Sequence, residues 1–97
     1  MPKPNRRVAQ RRAVTVVNRR GLHARAAAKF VQCAGRHDAV VTVSHDGRKV
    51  PGLSIMGLMT LAAVQGATLT LSARGPEAED ALAALVRLVQ GGFGETD

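Results

Sequence analysis

The stretch AVTVVNRRGLHARAAAKFVQCAG, residues 13–35, joins two structural periods through one short turn. Ala13 to Val17 is a β-branched run of strand length that closes at Asn18 and Gly21. Beyond Gly21, the residues Ala27, Phe30, Val31 and Ala34 recur at i, i+3, i+4 and i+7, the stripe of a helix packed by one face. Gly35 stands where a C-terminal cap belongs. The reading is a strand over 13–17 and a helix over about 24–34, with His23 at the junction.

Working outward, Asp38 to Ser44 reads as a strand, Asp46-Gly47 as a two-residue hairpin turn, and Arg48-Lys49-Val50 as the returning strand. Ser54 to about Val64 reads as a helix with Ser54 as N-cap, Leu58, Leu61 and Ala62 on one side, and Gly66 as the stop. Ala67 to Ser72 alternates like a half-buried strand. Gly75-Pro76 then breaks the chain before a helix from about Glu77 to Gln90, whose buried face carries Ala78, Ala81, Leu82, Leu85 and Leu88 or Val89. The order βαββαβα with antiparallel pairing predicts an α+β open-faced β-sandwich: a four-stranded antiparallel sheet with three helices on one face. Gly91-Gly92-Phe93-Gly94 and the acidic residues after it read as a frayed end.

Ninety-seven residues, 45% of them hydrophobic and 22% charged, suffice for one hydrophobic core and no second domain. The net charge of +7 is unevenly spread. Lys3, Arg6, Arg7, Arg11 and Arg12 precede residue 13, and the nine basic residues after them face seven acidic ones. Residues 1–12 therefore read as a basic flexible arm, residues 13–92 as the folded domain and residues 93–97 as a tail. No apolar run approaches the roughly 20 residues of a membrane span and no secretory signal pattern is present, so a cytoplasmic location without membrane insertion is expected. The single cysteine, Cys33, lies in the alanine-rich helix and reads as an inert core side chain, and no metal-ligand cluster or cofactor motif is visible.

The chemistry concentrates in Arg20-Gly21-Leu22-His23-Ala24-Arg25-Ala26-Ala27. A helix N-terminus leaves N–H groups without intrahelical partners and carries about half a positive charge, so it stabilises an anion such as a phosphoryl group. Arg25 can add a guanidinium whose fork matches phosphate oxygens, and a histidine is a competent nucleophile at neutral pH. The plain structural alternative is that His23 is only a polar residue at a helix start and Arg25 a solvated cation. Generic spacing alone favours that plain alternative. A cation in the first helical turn is unfavourable by a few tenths of a kcal/mol unless an anion visits, which shifts the balance modestly toward the phosphate reading and leaves both open.

Gly21-Leu22-His23-Ala24-Arg25 resembles the active-site motif of the histidine phosphocarrier family of the bacterial phosphotransferase system, HPr and its nitrogen-branch relative NPr. Ser54-Ile55-Met56-Gly57-Leu58-Met59 resembles the family's second signature, and the resemblance covers about residues 13–92. It implies that His23 accepts a phosphoryl group on Nδ1 from enzyme I, charged by phosphoenolpyruvate. His23 then passes the group to an enzyme II A-type component or a regulatory acceptor, with Arg25 stabilising the phosphate. The family's commonest form has proline where this chain has Ala26. The alanine retains an N–H that proline lacks, and it leaves the sugar or nitrogen branch open.

Ser54 is first a helix cap. The resemblance adds regulatory phosphorylation there by a kinase/phosphorylase, although the family usually has lysine where this chain has Leu53. Ile55, Met56 and Met59 lie opposite Leu58, Leu61 and Ala62, so they are expected to be exposed and to form a docking patch for successive partners. His37 and His45 have no motif around them and read as solvated. The protein is expected to be a monomeric carrier rather than a free-standing enzyme. The rival classes are a basic nucleic-acid-binding module and a hydrolase built on His23. The first lacks aromatic residues for base stacking, with two Phe and no Trp or Tyr, and the second lacks a carboxylate near His23 in sequence.

Overall fold

The computed structural model describes residues 8–95. Four strands, β1 (Gln10–Thr15), β2 (Val40–His45), β3 (Arg48–Pro51) and β4 (Thr68–Arg74), form one sheet in the order β1-β4-β2-β3 with every pairing antiparallel. Three helices, α1 (Ala24–Ala34), α2 (Ile55–Thr60) and α3 (Ala78–Gln90), pack on it, and a single 3₁₀ turn at Gly92–Gly94 follows α3.

The alternation in the strands decides which face is covered. Val14, Val41, Val43, Leu69, Leu71 and Ala73 are buried, while the intervening Thr15, Thr42, Ser44, Thr70 and Ser72 stay half-buried or exposed. Phe30, Leu58, Leu82 and Leu85 close the core from the helical side. This is the α+β open-faced sandwich expected from the element order. At the β2–β3 turn, Asp46 and Gly47 adopt φ of 51° and 81°, the paired left-handed conformation that matches hairpin twist.

The bounds of β1 and α2 and the supposed tail differ from the sequence reading. Strand β1 takes in Gln10, Arg11 and Arg12, part of the basic stretch that reads in sequence as an arm, and stops at Thr15. Their partners Ala73, Ser72 and Leu71 extend β4, and Arg12 also pairs with Glu79 of α3 at 3.1 Å. Cross-strand pairing outweighs the weak local preference of a polar segment. Val16 still exchanges bonds with the chain ahead of β4, donating to Ala67 and accepting from Gly66, both at 2.8 Å. The rest of the expected arm, residues 1–7, lies outside the described residues, as do residues 96 and 97.

Helix α2 ends at Thr60 instead of about Val64. Ala62 turns to φ 52° and is exposed, and Ala63 is the residue that enters the core. At the far end of α3 the buried residue is Val89, with Leu88 half-buried. The largest departure is the supposed tail. Gly92 and Gly94 at φ 66° and 75° let the chain reverse after α3, and Phe93 enters the core at 1% exposure. A glycine-rich segment that looks flexible in sequence is here a device for a tight reversal.

His37 and His45 are half-buried, each with Nδ1 at 3.1 Å from a backbone carbonyl, of Cys33 and Thr68 respectively. Cys33 is buried and free, and burial pushes its thiol pKa up against the partial offset of Arg36 and Arg87, as suits an inert core thiol. Among the described residues no helix is long and apolar enough to cross a membrane.

Candidate functional site

The site begins with a steric constraint two residues before the histidine. Gly21 sits at φ 68°, and a Cβ there would collide with the Ala63 carbonyl oxygen. That close approach lets the Leu22 N–H donate to the same carbonyl at 2.9 Å, while the Leu22 side chain is buried. The loop is thus fixed to the segment after α2, and His23 arrives as the N-cap of α1 in extended conformation, φ −76° and ψ 180°.

His23 makes no side-chain capping bond, so its imidazole is not consumed by the helix it starts. The first backbone bond of the helix runs from the Ala27 N–H to the His23 carbonyl at 2.8 Å, which places the N–H groups of Ala24, Arg25 and Ala26 ahead of it without intrahelical partners. Arg25 is exposed on this first turn and makes no side-chain hydrogen bond or ion pair among the described residues. The His23 ring, the amides without intrahelical partners and the Arg25 guanidinium share one end of α1.

The second half of the site comes from the far end of the chain. His23 Nε2 lies 2.5 Å from Glu95 Oε2, a contact spanning 72 residues, with the two side chains 22% and 13% exposed. Glu95 Oε1 accepts a further bond at 3.0 Å from Nδ2 of the buried Asn18, whose same amide nitrogen donates to the Gly21 carbonyl at 2.8 Å. Among the described residues Asn18 Oδ1 is buried without a partner. Turning the amide over would set Oδ1 against two oxygens, so the amide keeps Nδ2 aimed at the site and leaves one acceptor orphaned, at a cost of about 1–3 kcal/mol. The His23 bond first, then the Asn18 bond, hold the Glu95 carboxyl below the ordinary carboxylate range; burial opposes this and the Arg20 charge reinforces it. Lys29 Nζ clamps the same turn by donating to the Phe93 carbonyl at 2.6 Å.

Ser54 caps α2, its hydroxyl oxygen accepting the Gly57 N–H at 2.9 Å. Ile55, Met56 and Met59 are exposed, as the sequence suggested. Val17 and Val64 are exposed as well, and Val64 lies against Gly21, so apolar surface borders the histidine loop just after α2. Sequence reasoning missed Asn18, Lys29, Phe93 and Glu95 as parts of the site. No carboxylate lies near His23 in sequence, as read above, yet Glu95, 72 residues away, is adjacent to it in space. Among the described residues no group of three or more His, Cys, Asp or Glu side chains could hold a metal ion.

A four-stranded antiparallel sheet with three helices on one face and a histidine at the start of the first helix defines a small histidine-bearing open-faced sandwich. The family described as "PTS HPr component phosphorylation site" matches residues 10–91, and the chain belongs to this HPr family of the phosphotransferase system. It is 48% identical over 84 residues to the phosphocarrier protein HPr of Cupriavidus necator, covering 87% of this chain and 94% of that protein. It is 40% identical over 84 residues to the phosphocarrier protein NPr of Shewanella violacea, covering 87% and 92%. Among solved structures, HPr from Thermoanaerobacter tengcongensis superposes with a TM-score of 0.86 at 42% identity, covering 91% of this chain and 99% of that one.

Proposed function

We propose that this protein carries a phosphoryl group on His23, received from phosphorylated enzyme I and delivered to an enzyme II A-type component or a regulatory acceptor. The observation that supports it best is an imidazole free of capping duty at the end of α1 where three amides have no intrahelical partner. A phosphoryl group on the ring adds negative charge where the helix end is positive and where Arg25 has no competing partner among the described residues. Arg25 is the phosphate-stabilising residue in this reading. The protein works as a single copy, taking partners in turn on Ile55, Met56 and Met59.

Ser54 has a second role in the proposal. A phosphoryl group on its hydroxyl stands beside exposed Ile55, Met56 and Met59, so a kinase/phosphorylase that modified it would charge the docking patch without touching the core. Incubation with enzyme I and radiolabelled phosphoenolpyruvate tests the central assignment: the label is expected on the parent protein, acid-labile and alkali-stable, and absent from His23→Ala. Comparing charging rates with enzymes I of the sugar and nitrogen branches assigns the pathway.

A further inference from the structure

Resting on the reading of His23 as the phosphoryl acceptor, we propose that Glu95 is the positioning residue for that transfer. Its carboxylate holds the ring proton on Nε2, so that Nδ1 presents its lone pair to phosphorus. Three observations carry this. Glu95 Oε2 is 2.5 Å from His23 Nε2, and no hydrogen bond engages Nδ1 among the described residues. The carboxylate is itself oriented, because Oε1 accepts from the buried Asn18, whose other bond goes to the Gly21 carbonyl in the histidine loop. The backbone that presents it is anchored by buried Phe93 and by the Lys29 bond to the Phe93 carbonyl.

A carboxylate has two acceptor oxygens and no donor, and the site offers it two N–H donors, one from each side. With Nε2 protonated, the Nδ1 lone pair attacks the phosphorus of the donor. The Nδ1–P bond forms, the bond from phosphorus to the donor atom breaks, and its electron pair leaves with the donor. The phosphorylated ring then carries a positive charge that the Glu95 carboxylate offsets while keeping the proton on Nε2. Transfer onward breaks the Nδ1–P bond and returns the electron pair to Nδ1 with no proton moved from the ring. Glu95 thus serves both directions without contacting the phosphoryl group.

Glu95→Gln tests this with the side-chain shape preserved. An amide offers one acceptor oxygen in place of two, so it cannot receive both His23 and Asn18. Glu95→Ala removes both contacts. In ¹⁵N-histidine NMR of the unphosphorylated parent, a slowly exchanging proton on Nε2 of His23 is expected, lost in Glu95→Ala and weakened in Glu95→Gln. Phosphorylation by enzyme I should slow by about tenfold in Glu95→Ala, the lower end of the losses seen when a group orienting a ligating histidine is removed. Glu95→Gln should also slow, whereas a purely steric anchor would tolerate it. Parent-like rates and an unchanged ring-proton signal in both variants would overturn the positioning role while leaving His23 as the carrier. Failure of the parent itself to label on His23 would instead overturn the carrier reading.

Discussion

The Leu22 N–H and the Ala63 carbonyl, 2.9 Å apart, join the loop before α1 to the segment after α2, and Gly21 makes the approach possible because any Cβ there would strike the same oxygen. The position of His23 therefore depends on a residue that has no side chain. Gly21→Ala combines a left-handed backbone conformation with a backbone clash and is expected to cost at least about 1–3 kcal/mol. Denaturant unfolding measures that loss, and phosphotransfer should fall further than the unfolded fraction accounts for, because the ring is displaced.

Phe93 carries stability and site geometry together. It is 1% exposed and precedes Glu95 by one glycine. Phe93→Ala is expected to destabilise by about 3–5 kcal/mol, the usual cost of emptying a buried aromatic site. Chemical denaturation checks this; a change under 1 kcal/mol would show that the turn does not contribute to the core.

The Glu95 contacts predict a pH dependence with a definite sign. Its folded-state pKa is lowered, chiefly by the His23 bond and then by the Asn18 bond, so its stabilising contribution is complete above about pH 5 and is lost as pH falls through the lowered value. The melting temperature of the parent should exceed that of Glu95→Gln at neutral pH, and the difference should shrink as pH falls through the lowered carboxylate range.

Ser54→Asp keeps a side-chain oxygen in place to accept the Gly57 N–H, so the cap survives. Helix α2 has six residues, so the added charge gains only a few tenths of a kcal/mol from the dipole. The same charge stands beside exposed Met56, Met59 and Ile55, where a docking partner must desolvate or neutralise it. An equal or slightly higher melting temperature with slower charging by enzyme I is expected. Equal charging rates at low salt would leave Ser54 as a helix cap only.

The division between what the sequence discloses and what it conceals follows contact range. The β-branched run at Val14–Val17, the α1 stripe and the Asp46-Gly47 turn are local signals, and the elements appear within a few residues of where they were expected. Gln10–Arg12 was hidden because its strand character comes from partners in β4 rather than from its own side chains. Ala62 left the helix early because the next residue, Ala63, must meet Leu22. Glu95 and Asn18 were illegible for the same reason at longer range: Asn18 looks like a strand stop and Glu95 like a tail charge until Phe93 folds the chain back.

The most direct measurement is phosphoenolpyruvate-dependent labelling of the parent, His23→Ala and Arg25→Ala by enzyme I, with the phosphorylated nitrogen identified by NMR. The account predicts one label on Nδ1 of His23 in the parent, none in His23→Ala, and slowed charging in both directions for a fully folded Arg25→Ala. Label persisting in His23→Ala would contradict it.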